Sequence, residues 1–159
     1  MENRRARLFD VLWWAATLAW AAVMSWFSTR TFSAEFSQSL LSRILSLVHL
    51  QLSPGTFEVV HTVLRKSAHL TEYAVLALLL LESLSTERER NWNPRRALLC
   101  IGIAAAYSLA DEFHQSFVPG RTASLRDCGL DTIGAALALL VGYARRRTPP
   151  QAACLSTTC

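Results

Sequence analysis

The chain has 159 residues, 52% of them hydrophobic and only 18% charged, with a mean hydropathy of +0.24 and a formal charge of +4. That is the length of one domain, and the apolar excess points to a membrane protein rather than an ordinary soluble one. The basic side chains are arginines apart from Lys66, clustered beside apolar runs, which argues for membrane topology and against a nucleic-acid partner.

Met1 to Asp10 carries Arg4, Arg5 and Arg7, and Val11 to Phe27 then runs 17 residues without a charge. Trp13, Trp14 and Trp26 mark the two interfaces of a first membrane span over 11–28. A signal peptide cut at Ala19-Trp20-Ala21 is the rival reading, disfavoured because the apolar run continues past that site. From Thr29 to Leu52, Phe36, Leu40, Leu41, Ile44, Leu45, Leu47 and Val48 recur at helical spacing opposite Ser37, Gln38, Ser42, Arg43 and Ser46. This pattern predicts an amphipathic helix lying at the membrane surface.

Ser53-Pro54-Gly55 breaks that helix, with Ser53 a candidate N-cap and Pro54 at the first position of the next one. Nothing interrupts Thr56 to Ser85, so a single helix of about 45 Å is expected, with the second span over 67–84. ERERNWNPRR (87–96) is a charged loop, 97–116 a third span, and Pro119-Gly120 a turn. The fourth span, 125–144, opens with Ser124 and Asp127 in capping-box spacing and ends at Arg145-Arg146-Arg147. The expected fold is therefore all-α: an integral membrane four-helix bundle over 1–147, with the interfacial segment between spans one and two and a polar tail over 148–159. Ten arginines fall on the side of the termini, against six arginines and lysines on the other, so the positive-inside rule places both termini in the cytoplasm. Cys100, Cys128, Cys154 and Cys159 have neither CxxC nor zinc-type spacing, and no cofactor is expected.

The charged residues inside the spans are the functional signal. Lys66, His69 and Tyr73 share an arc of about 60° with Glu72 beside it, and Tyr107, Ser108, Asp111, His114 and Gln115 share one of about 120°. Asp127 and Asp131 continue the stripe of Gly134, Ala138 and Gly142, whose small-xxx-small spacing lets another helix come close. Alternating spans bring these three groups to one level, the outer one. An ionisable group at mid-bilayer costs about 2.5–3.5 kcal/mol on insertion scales, so such groups survive by pairing or by facing water. Lys66, Arg121 and Arg126 against Glu72, Asp111, Glu112, Asp127 and Asp131 leave a ring that is acidic overall. Asp111 with His114, and His69 with Glu72, have the i, i+3 spacing with which two helices can hold a metal, but HExxH is absent and no metal is expected. Arg121 in its Pro-Gly-Arg turn suits an anionic headgroup, while His49 and His61 are assigned no role. The helicase-like spelling Asp111-Glu112-Phe113-His114 lacks a phosphate-binding glycine loop and is rejected.

RKSAHLTEYAVLALLL (65–80), SLADEFHQSFVPGRTASLRD (108–127) and GLDTIGAAL (129–137) together resemble the VanZ-like family of small bacterial membrane proteins. The likeness lies in Lys66, His69 and Tyr73, and in Asp111, Glu112, Gln115 and Arg121 with Asp127 and Asp131 following. It implies a multi-pass protein of the bacterial inner membrane with a link to the cell envelope and to teicoplanin tolerance. On this reading an outward polar pocket of Lys66, His69, Glu72, Tyr73, Asp111, Glu112, His114, Gln115, Arg121, Asp127 and Asp131 binds a lipid headgroup, an envelope precursor or a lipidated glycopeptide. Two alternatives stay open: an intramembrane hydrolase or transferase with His69 or His114 as base beside Asp111, and a structural subunit whose ring only locks the helices together.

Overall fold

The computed structural model describes residues 2–28, 34–85, 92–117 and 124–147, and their side chains except at 2–6, 34, 35 and 147. Among the described residues there are five helices and no strand: α1 (Glu2–Phe27), α2 (Ala34–Leu47), α3 (Pro54–Ser83), α4 (Pro94–Gln115) and α5 (Leu125–Arg147). The all-α expectation holds. Three stretches, Arg7–Phe27, Pro94–Gln115 and Leu125–Arg146, are long and apolar enough to cross a membrane. α3, whose later half is interrupted by Lys66, His69, Glu72 and Glu82, is not among these three stretches.

The uninterrupted run after Pro54 forms one helix of 30 residues, as its lack of internal Pro and of Gly beyond Gly55 requires. Ser53 is its N-cap, the hydroxyl accepting from the Thr56 amide at 3.3 Å, with Pro54 in the first turn. α4 starts three residues before the predicted third span, because Asn93 caps it by accepting from the Arg95 and Arg96 amides at 2.9 and 3.4 Å. α1 starts nine residues before the first predicted span and carries its helix through the basic N-terminus.

α3 is the centre of the assembly, packing most extensively on α5 and also on α1 and α4. Its Tyr73, Leu76, Ala77, Leu80 and Leu81 form the core with Met24 of α1, Ala97, Cys100 and Ala104 of α4, and Ala135 and Leu139 of α5. α3 and α5 come close at Gly134, where a Cβ would lie 2.5 Å from the Leu70 carbonyl oxygen. Outward faces are apolar as well: Leu12, Leu18, Leu98, Phe113 and Leu140 are exposed, as helix sides facing hydrocarbon would be.

α2 rests on α3 through His61, which is buried, bonded through Nε2 to the Ser37 hydroxyl at 2.8 Å and stacked on Phe57. The end of α2 is a Schellman turn: the Leu50 amide donates to the Leu45 carbonyl at 2.9 Å, the His49 amide to the Ser46 carbonyl at 3.2 Å, and His49 itself has φ of 54°. That left-handed position costs a non-glycine residue about 1–2 kcal/mol. His49→Gly is therefore expected to stabilise the turn by about 1 kcal/mol, read as roughly fivefold slower amide exchange over 45–50.

Candidate polar site

Polar side chains from α1, α3, α4 and α5 meet in the part of the helix bundle where α4 ends and α5 begins. On α3, Lys66 reaches across to α5, its Nζ 3.3 Å from Asp127 Oδ1. One turn further along, His69 Nδ1 stands 3.8 Å from Glu72 Oε2, and the Glu72 backbone carbonyl accepts from Trp20 Nε1 of α1 at 3.0 Å. Tyr73, at 1% exposure, lies deeper, with Ser108 beside its hydroxyl and its ring 6.3 Å from that of Tyr107.

The last turns of α4 contribute the most groups. Ser108, fully buried, donates to Asp131 Oδ2 of α5 at 2.6 Å. The other Asp131 oxygen, Oδ1, is buried with no hydrogen-bond partner among the described residues. Gln115 Nε2 donates both to Asp111 Oδ2 at 2.6 Å and to Ser28 Oγ of α1 at 2.8 Å. Tyr107 donates to the Ala21 carbonyl at 2.6 Å and accepts from Ser25 Oγ at 2.7 Å, so α1 and α4 are joined at two points.

Glu112 does something the capping-box spacing of Ser124 and Asp127 did not anticipate. Its Oε2 accepts from the Ser124 amide at 2.6 Å, which is the bond a capping-box acid at Asp127 would have made. An acid from the end of α4 thus satisfies the start of α5, while Asp127 is turned toward Lys66. Asp127 still lies in the first turn of α5, where a negative charge meets the positive end of the helix dipole.

These side chains line separate hollows. Asp111 and His114 face an open groove of about 530 Å³ between α1 and α4, together with Ser25, Trp26, Tyr107 and Ala110. Lys66, His69, Asp127 and Asp131 line a slit of about 10 Å³ between α3 and α5, about the room one water needs. Glu112 lines a third hollow with Ser124 and Phe113. Arg121 lies outside the described residues, and so does the Pro119-Gly120 turn. Arg126 is exposed at the start of α5. No group of three or more His, Cys, Asp or Glu side chains is arranged to hold a metal among the described residues.

The VanZ/LLP1 family model matches residues 13–146, which take in α3, α4, nearly all of α5, the second half of α1 and both polar blocks. The chain belongs to the VanZ/LLP1 family. No curated protein and no solved structure matches it.

Within this VanZ/LLP1 domain two residues matter more to the geometry than their sequence context suggested. Ser108 bridges α4 to α5, and it could have been found from the fourfold spacing Cys100, Ala104, Ser108, all three fully buried. His61, given no role from sequence, anchors α2; its partner Ser37 lies across the Pro54 break, and no local pattern reports such a pair.

Proposed function

We propose that this VanZ/LLP1 protein crosses the bacterial inner membrane four times, with α3 as the second span and both termini cytoplasmic, and that its outward polar layer binds a lipid headgroup, an envelope precursor or a lipidated glycopeptide. The residues assigned to the layer are Lys66, His69, Glu72, Tyr73, Asp111, Glu112, His114, Gln115, Arg121, Asp127 and Asp131. The observation that carries this reading is the open α1–α4 groove: Asp111 and His114 line a hollow of ligand size at the side of the molecule. A layer that served only to hold helices together would not need to present ionisable groups to such an opening.

The groups that do pair off favour a structural part for some of the layer. Glu112 on the Ser124 amide and Ser108 on Asp131 fix how α4 meets α5. The exposed Lys66–Asp127 pair contributes at most about 1 kcal/mol. Structure and binding thus divide the layer between them, with Ser108 and Glu112 on the first side and Asp111 and His114 on the second. An acid–base enzyme remains the alternative for His69 or His114, and it carries no nucleophile motif.

Teicoplanin susceptibility tests the envelope link. Cells carrying the gene are expected to tolerate more teicoplanin than cells lacking it, and Asp111→Asn or Arg121→Ala is expected to remove the difference at unchanged protein level. Equal susceptibility in all four strains contradicts the link.

A further inference from the structure

We infer that the α1–α4 groove selects an aminophospholipid of the surrounding bilayer, with the lipid's ammonium on Asp111 and its phosphate beside His114. This rests on the reading of the polar layer as a headgroup site and names the chemistry of that headgroup.

Other carboxylates of these helices already face a basic side chain. Asp127 has Lys66 and Glu82 has Arg146, while Glu72 has the His69 ring 3.8 Å away. Asp111 has only the neutral Gln115 amide on Oδ2, and no cation among the described residues. It is half-buried and borders the groove, so its second oxygen can meet a ligand. A carboxylate in an apolar setting with no fixed cation favours a mobile one, and a charge-assisted bond to an ammonium is the strong form of such contact.

The rest of the lining agrees in sign. Among the described residues that line the groove there is no arginine or lysine, the side chains that a purely anionic headgroup calls for. Trp26 contributes an exposed indole, whose face attracts ammonium groups. Asp111 lies in the closing turns of α4, where the helix dipole also favours the ammonium. His114 stands one turn beyond Asp111, about 5–6 Å away at Cβ, which matches the short link between ammonium and phosphate in an ethanolamine headgroup.

The groove is also bounded in a way that suits a lipid. Tyr107 and Ser25, bonded to each other, both line it, and the tie from Gln115 to Ser28 joins the same two helices eight residues, or about 12 Å, further along α4. Between the ties the wall is Ala110 and Trp26, and the side is open, so an acyl chain can remain in the bilayer while the headgroup occupies the polar end.

The test uses the full chain in nanodiscs of equimolar phosphatidylethanolamine, phosphatidylglycerol and phosphatidylcholine, transferred to mild detergent, with retained lipid counted by native mass spectrometry. Wild type is expected to retain phosphatidylethanolamine about fivefold over phosphatidylglycerol, the order set by one partly exposed charge pair. Asp111→Asn should abolish that preference, Asp111→Glu should keep part of it, and Glu58→Gln, an exposed acid on α3, should leave it whole. Equal retention of the lipids, or a preference that survives in a monodisperse Asp111→Asn protein, overturns the inference. Enrichment of phosphatidylglycerol instead overturns it while leaving a headgroup site standing, and retention of no lipid at all overturns both.

Discussion

Gly134→Ala is expected to lower the stability of the protein by about 2–3 kcal/mol, among the largest losses any single methyl group can cause here. The added Cβ would sit 2.5 Å from the Leu70 carbonyl oxygen and 3.1 Å from its Cα. Both are backbone atoms of α3, so no side-chain rotation relieves the clash, and α3 and α5 must separate. Gly102 on α4 and Gly142 further along α5 supply the controls. A Cβ at Gly102 meets nothing within 4 Å, and one at Gly142 meets Leu81 and Leu78 at ordinary contact, 3.6 and 3.7 Å. Gly102→Ala should therefore be neutral or stabilising by up to about 1 kcal/mol, from helix propensity alone. Unfolding titrations in mild detergent separate the three variants, and a Gly134→Ala protein as stable as Gly102→Ala contradicts the close approach of α3 to α5.

Ser108→Ala is the second large effect, with an expected loss of about 1–3 kcal/mol. The hydroxyl it removes is the partner of Asp131 Oδ2, and Oδ1 already has none among the described residues. The variant would leave a carboxyl that is 3% exposed with neither oxygen bonded. Removing both members should hurt less than removing one, since the cost lies in the stranded group and not in the missing bond. Ser108→Ala with Asp131→Ala is accordingly expected to recover most of the loss. A double-mutant cycle by unfolding titration measures this coupling, and additive losses contradict the Ser108–Asp131 bond as a buried pair.

These two positions also show which parts of the structure could be read from sequence. The small-residue stripe from Gly134 was legible because helix periodicity and residue size are local properties, and Leu70 is where α3 fills the gap. Ser53-Pro54 was legible for the same reason: a cap acts on amides two or three residues away. Ser108 and Glu112 were harder. Their partners, Asp131 and Ser124, lie 23 and 12 residues on, and choosing them requires knowing how α4 and α5 stand to each other. Asp127 shows the converse: its spacing fits a capping box, but Glu112 holds the Ser124 amide and leaves Asp127 to Lys66. The polar level itself was visible, since charge inside apolar runs needs no tertiary knowledge to detect. The division of that level into an open groove at Asp111 and a water-sized slit at Asp131 depends on side-chain packing, which periodicity does not encode.

α3 explains why the layer lies where it does. The helix carries the core residues Tyr73, Leu76, Leu80 and Leu81 and, one or two turns toward its N-terminus, Lys66 and His69. The α1–α4 groove is edged by hydrogen bonds rather than by interlocked apolar side chains, because Tyr107 and Gln115 hold α4 to α1 through Ala21, Ser25 and Ser28. Such an opening is easier to occupy than the α3–α5 seam, where Gly134 already brings the backbones together.

Asp111 serves a ligand and not the fold on this reading, and Asp111→Asn tests that with two readouts on one preparation. The asparagine oxygen can still accept from Gln115, so the tie to Ser28 remains and only the charge facing the groove is lost. The variant is expected to keep a thermal midpoint within about 2 °C of wild type and to lose a lipid headgroup that the wild-type protein retains through purification in mild detergent. A midpoint that falls along with the lipid, or a wild-type protein that retains no headgroup, contradicts it.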